Sequence, residues 1–175
     1  MLSMQELIRI ILARSRLPAG SVHGIAHWAR VLENGRRIAP RTGADPRVLE
    51  LFAVIHDSQR VTDSYDADHG PRAAAFAREL RADIGLDDQA FALLAEACDS
   101  HTRGAPFDSD VTVLTCLDAD RLDIPRVGLK IKPDLLFTAA ARDRVVLSWA
   151  TERAERRSLP SLLHDEWGWT GDDAG

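Results

Sequence analysis

Few residues of this chain can do chemistry, and they come in sets. His23 and His27 stand four apart, His56 and Asp57 are adjacent, and Asp118, Asp120 and Asp123 crowd one short stretch. Imidazole nitrogens and carboxylate oxygens together make a mixed donor set suited to Mn, Fe, Co, Ni, Zn or Mg. Neither Cys98 nor Cys116 belongs to it, which argues against a structural zinc site. Each set alone has an ordinary explanation: a surface or core histidine pair, a helix cap, a salt bridge to Arg121 or Arg126. Together they describe a cation site built from distant segments.

Such a site needs walls. Leu51-Phe52-Ala53-Val54-Ile55 is an apolar run of helical character that ends abruptly in His56-Asp57. Burying the run delivers the pair to a desolvated wall, where a carboxylate without a partner is costly. On either side the spacing is helical. A first helix follows Ser3 and ends before Pro18 and Gly20. A second is expected over 22–38, opened by Ser21 and stopped by Pro40 and Gly43, with Gly24 leaving room for a ligand to approach. The spacing of His23 and His27 would place both rings on one face of it, a turn apart.

A third helix begins at the cap-and-proline pair Asp45-Pro46 and runs to the His-Asp doublet. Residues 58–68 read as a loop. Helices are expected over 70–84, from Asp87 to about 101, and over 111–122, where Val111 to Thr115 would suit a strand by propensity. A punctuated loop at 124–133 precedes a last long helix at 135–157. The tail carries Trp167 and Trp169 and either docks through those indoles or is loosely ordered. The sum is an all-α single domain over 1–175, of six or seven helices, with its motifs in 22–126 and a C-terminal helix and tail at 135–175.

With 175 residues, 45% hydrophobic and 28% charged, the chain can bury a real core. A net charge of −5 argues against general nucleic-acid or membrane-surface binding, so an anionic substrate must be met by a metal or a few placed arginines. Arg9, Arg14 and Arg16 break up the apolar N-terminal run, which therefore reads as an amphipathic helix and not a targeting segment. Two cysteines without C-x-x-C spacing fit a reducing, cytoplasmic setting.

The order of these motifs resembles the HD-domain superfamily of metal-dependent phosphohydrolases. There a histidine on one helix, a His-Asp doublet ending another and an aspartate on a later helix share one ion. The matching positions are His27, within His27-Trp28-Ala29-Arg30-Val31, then His56 and Asp57, then Asp120, within Ala119-Asp120-Arg121-Leu122. The resemblance covers about 22–126. It also extends to a bacterial subgroup with a His-Gly-x-x-His-Trp start and a His-Asp-Ser doublet. It implies that His27, His56, Asp57 and Asp120 hold a divalent ion. Residues two apart on a helix face nearly opposite ways, so Asp118 would then be a capping or supporting group.

Members with two metals add two histidines between the doublet and the last aspartate. His69 and His101 occupy those places, either as ligands of a second ion or as contacts to the substrate. A bound cation would make water nucleophilic near neutral pH. Arg60 and Arg72 would clamp the phosphate, whereas Lys130 and Lys132 read as solvated surface charge sooner than as anion contacts. His23 and Asp57 are the candidate catalytic groups, His23 standing near the leaving group as acid or donor. The reading is a phosphohydrolase acting on a nucleotide or small phosphate ester. Two alternatives stand: a dinuclear iron oxygenase of HD-like fold, and a non-catalytic ligand-binding module. A homodimer through the tail indoles is also open.

Overall fold

The computed structural model describes residues 1–106 and 108–171. Among them all regular structure is helical. Helices α1 (Met4–Arg14), α2 (Ile25–Thr42), α3 (Pro46–Ile55), α4 (His69–Glu79), α5 (Arg81–Ile84), α6 (Asp88–Ser100), α7 (Val111–Arg121), α8 (Arg144–Glu155) and α9 (Leu162–Asp165) follow in order, with short 3-10 turns at Ile124–Val127 and Pro133–Leu135. Seven of the nine have ten residues or more. No helix of the described residues is long and apolar enough to cross a membrane.

Helix α3 is the axis of the bundle. Val48, Leu49, Leu51, Phe52, Ala53, Val54 and Ile55 are all buried, so the helix is covered on every side by α1, α2, α4, α6 and α7. Each of its large apolar side chains contributes about 1.5–3 kcal/mol by leaving water. Its start is set by Asp45, whose carboxylate accepts the amides of Arg47 and Val48, and by Pro46 in the first turn. Its end is His56. The central apolar run therefore does what its composition requires: it carries the doublet to the middle of the molecule.

Three of the expected helices differ from the sequence expectation. Helix α2 starts at Ile25, because the amides of Gly24 and Ile25 are taken by the carbonyls of Ser21 and Ala19. His23 therefore lies in the turn ahead of the helix and not within it. A Cβ on Gly24 would sit 2.0 Å from the Ala19 carbonyl oxygen, so the room this glycine leaves is used by backbone and not by a ligand. At its other end α2 runs through Pro40 to Thr42. The proline sits in the last turn, and Gly43, at φ 77°, closes the helix by donating to the Ala39 carbonyl. The helix expected over 70–84 breaks at Leu80 into α4 and α5.

The third difference is the last long helix, which begins at Arg144 and not near 135. Asp118, fully buried on α7, accepts the amides of Phe137 and Thr138 and the Thr138 hydroxyl, each at 2.8 Å. Those bonds hold 136–138 in a bend, and Asp143 then caps α8. A smaller apolar cluster of Ile38, Leu122, Leu136, Ala140, Ala141, Val146 and Ala150 packs beneath. Asp118→Ala strands three donors, two of them buried, so it is expected to lower unfolding free energy by about 3 kcal/mol. A urea titration against the wild type measures this.

The tail docks. Trp167 is buried in the main core with Leu162 and Leu163, and Glu166 accepts both terminal nitrogens of Arg36 at 2.6 and 2.7 Å. Its last residues, 172–175, lie outside the described residues. With its ring inside its own core, Trp167 is not displayed for a dimer contact.

Candidate metal centre

Five helix ends meet at one place. His27 stands in the first turn of α2, His56 caps the C-terminus of α3 with Asp57 next to it, and His69 opens α4. His101 caps the C-terminus of α6, and Asp120 ends α7. Three of the five are helix C-termini, whose partial negative charge favours a cation. The close approach of α4 to the end of α6 depends on Gly70. A Cβ there would meet the Thr102 hydroxyl at 2.7 Å and the carbonyls of Cys98 and Asp99 at 2.9 Å.

The first cluster gathers His27, His56, Asp57 and Asp120. His27 Nε2 lies 3.1 Å from His56 Nε2 and 3.4 Å from both Asp57 Oδ2 and Asp120 Oδ1. His56 Nε2 is 3.8 Å from Asp57 Oδ2 and 3.6 Å from Asp120 Oδ1. Donors about 2.1 Å from one ion sit ~3.0 Å apart at a right angle and ~3.4 Å apart at the tetrahedral angle. The observed separations, 3.1 to 3.8 Å, run from just above the first value to somewhat beyond the second.

The hydrogen-bonding of the two rings is informative. His27 Nδ1 is 2.7 Å from Asp123 Oδ2, and His56 Nδ1 is 3.1 Å from the carbonyls of Phe52 and Ala53. Both Nδ1 atoms face acceptors and so carry the hydrogens. That leaves two Nε2 lone pairs pointed at one another, beside two carboxylates. Such an arrangement requires a positive charge between the rings, a proton or a metal ion.

Electrostatics agree. Burial and the charge of Arg126 press the His27 imidazole down, yet its bonds to Asp120, Asp123 and Asp57 prevail and raise its pKa to about 9. Burial also opposes ionisation of Asp57. The charge of His56 and the nearby imidazoles of His101, His23 and His27 outweigh it and hold the carboxyl well below the usual range. Burial likewise opposes ionisation of Asp120, but the bonds to His27 and His56 keep it far below its ordinary value.

The second cluster shares Asp57. Its Oδ1 lies 3.1 Å from His69 Nε2 and 3.5 Å from His101 Nε2. His101 donates Nδ1–H to the Cys98 carbonyl at 2.7 Å, while its buried Nε2 has no hydrogen-bond partner among the described residues. An orphaned imidazole nitrogen aimed at a carboxylate is what a metal ligand looks like before its ion is added. His27, His56 and Asp57, and again Asp57, His69 and His101, thus form two groups that could hold metal.

His23 Nδ1 is 2.9 Å from Asp57 Oδ2 and 3.0 Å from the Arg126 guanidinium, and the Trp28 indole N–H pins the His23 carbonyl at 2.8 Å. Arg60 is buried at the cleft, 3.6 Å from Asp57 Oδ1. It donates to the carbonyls of Thr62 and Ser64 and to the His69 ring. Arg72 is outside the lining of the cleft and donates to the Gln59 carbonyl and to both oxygens of Asp66. His164 is exposed in the tail, beside Asp165.

In the sequence, Asp123 and Arg126 read only as part of an acidic stretch and its salt-bridge partner, and Arg30 has no role. Asp123 orients His27; Arg30 holds Asp123 through Nε at 2.7 Å and a second nitrogen at 3.1 Å; Arg126 spans His23 and the Asp123 carbonyl. Arg30 and Asn34 follow His27 at three and seven residues, on the same buried stripe of α2. A charged residue on an apolar stripe was the available signal. The cleft above the clusters measures about 460 Å³ and is walled by His23, Arg60, His69, His101, Arg121 and Arg126, with Tyr65 at its mouth.

Comparison with solved structures finds the same fold elsewhere. A crystal structure of a predicted HD superfamily hydrolase from an uncultured Thermotogales bacterium is 28% identical. It covers 87% of this chain and 88% of its own, with a TM-score of 0.62. No family model and no curated protein matches the sequence.

Proposed function

Proceeding from an HD-type helical fold, we propose that this chain is a metal-dependent phosphohydrolase acting on a small phosphate ester, a nucleotide included. His27, His56, Asp57 and Asp120 would hold one divalent cation, and Asp57, His69 and His101 a second. The observation that carries this is the pair of Nε2 lone pairs facing each other at 3.1 Å, flanked by Asp57 and Asp120. When bound, such a cation supplies Lewis acidity and a nucleophile derived from water near neutral pH.

The protein's own residues do the rest. Arg60 and Arg126 flank Asp57 at 3.6 and 3.9 Å, so two guanidiniums stand at the cleft to meet an anionic ester despite the negative charge of the chain. Arg72, one step back, fixes the loop that carries Arg60 by gripping Asp66. His23 is held at Nδ1 between Asp57 and Arg126, while its Nε2 makes no hydrogen bond among the described residues. That nitrogen is the group that would hand a proton to the departing oxygen. The neighbour of the same fold is itself described as a predicted hydrolase, which supports the reaction class.

Elemental analysis of protein purified without added metal, with a phosphate-release screen over nucleotides and sugar phosphates, tests the reading. Bound divalent metal and release from at least one class are expected. Two irons per chain with no phosphate release under any metal would favour oxygenase chemistry at the carboxylate that the two clusters share.

The His27 environment makes a pH prediction. Its folded pKa, about 9, lies above its ordinary value near 6.5, so its contribution to stability is complete below about pH 6.5 and is lost as pH rises through 9. Asp57 and Asp120 are depressed; their contributions hold above about pH 4 and fade as pH falls through their lowered values. Chelator-treated protein is therefore expected to melt at falling temperature between about pH 6.5 and 9. Metal-loaded protein should not, since the cation replaces the proton on His27, and apparent metal affinity should rise over that window. Thermal melts of both forms check it.

A further inference from the structure

Beside the metal cleft lies a second cavity of about 310 Å³, walled by Ile124, Leu129, Ile131, Leu135 and Leu136, with Arg121, Lys130 and Lys132 as its polar members. The two cavities share Arg121, Ile124 and Leu129, so they adjoin along that wall. The volume is at the small end for ligand sites and fits one ring or a short chain.

Three features mark it as a binding surface. Leu129 and Leu135 are 56% and 58% exposed, and with Tyr65 and Val127 they make four of the nine large apolar side chains left in water among the described residues. Apolar side chains gathered on one rim of a cleft point to a partner that covers them. Second, Lys130 and Lys132 are the only lysines of a chain with 22 basic residues, and neither makes an ion pair among the described residues. Both are exposed and line the cavity, so their ammonium groups are free to meet an anion. Third, the lining side chains offer donors and hydrocarbon but no carboxylate, amide or hydroxyl acceptor. A nucleobase, read through paired donors and acceptors, would find no side chain here to accept its amino group.

We infer that this cavity holds the alcohol portion of the substrate, and that this portion is an apolar body bearing an anionic group. The inference rests on the phosphohydrolase reading and narrows it. The ester phosphate lies over the two clusters, the hydrocarbon crosses Ile124 and Leu129, and the distal anion meets Lys130 and Lys132.

The test uses the full chain loaded with Mn(II), and n-alkyl phosphates from methyl to octyl, their ω-carboxyalkyl counterparts and adenosine 5′-monophosphate as probes. For the alkyl series kcat/KM should rise about fourfold per methylene until the cavity is filled. In Leu129→Ser and Leu135→Ser, both at exposed positions, the octyl-to-methyl ratio should collapse towards one. The ω-carboxylate should add a few-fold, lost in Lys130→Ala/Lys132→Ala and in high salt. No dependence on chain length, with the nucleotide turned over best, overturns the inference and leaves the hydrolase standing. If no ester is hydrolysed, the hydrolase reading fails, and calorimetric titration with octylphosphonate judges the cavity alone. Binding weakened tenfold or more in Leu129→Ser sustains it, and absence of binding to the wild type overturns it.

Discussion

Asp57→Ala is expected to lose metal and turnover together while the helices remain. No other side chain belongs to both clusters: Oδ2 faces His23, His27 and His56, and Oδ1 faces His69 and His101. Without it, imidazoles and the Arg60 and Arg126 guanidiniums face one another with Asp120 as the sole carboxylate at the cleft's metal-facing wall. Any cation would then add to a positive site. The drop in kcat/KM should be on the order of 10³–10⁴, the scale of a lost catalytic group. Asp57→Asn probes the charge separately. It keeps the shape, but it must turn an NH2 towards one cluster and brings no negative charge to either. Elemental analysis, phosphate release and circular dichroism measure the three properties. If either variant keeps wild-type metal content and rate, Asp57 is not the shared ligand.

How much of this was legible beforehand depends on the range of the interactions involved. The His56-Asp57 doublet could be placed from sequence because the force that positions it is local: an apolar run that must bury itself, a cap at Asp45, a proline at Pro46. The start of α8 could not, because it is set by Asp118 reaching across to amides nineteen and twenty residues away. Nothing in the composition of 135–143 forbids a helix there. His23 shows a subtler failure. Four-residue spacing suggested a shared helical face, and the rings do approach, with centroids 6.2 Å apart, but they do so because a turn closed by the Ala19 carbonyl folds His23 towards Asp57. Proximity was right for a reason other than the one given. Arg60 and Arg72 illustrate the limit for exposed-looking charges. A sequence displays a guanidinium but not the carbonyls that will occupy its donors.

Asp123 is the residue whose loss should most clearly separate the fold from the site. Its carboxylate is almost wholly buried and has two duties: it fixes the His27 ring through Nδ1, and it neutralises the buried Arg30, with Arg126 3.7 Å away. Burial opposes its ionisation, but the His27 bond and the Arg30 pair lower its pKa, so it is charged at neutral pH. In Asp123→Ala, the buried Arg30 guanidinium loses its carboxylate and Arg126 is left with Asp57 alone, which should cost about 3–5 kcal/mol of stability. His27 also becomes free to turn, which should weaken metal binding by about 10–100-fold. Asp123→Leu with Arg30→Met pulls the two effects apart. Replacing a buried pair by hydrocarbon of similar volume is often neutral, so most of the stability should return. The metal affinity should not return, because no acceptor faces His27 Nδ1. Denaturant unfolding reads the first quantity and chelator competition the second. A double variant that regains its metal affinity along with its stability would show that packing around His27, and not the Asp123 carboxylate, aims the imidazole at the ion.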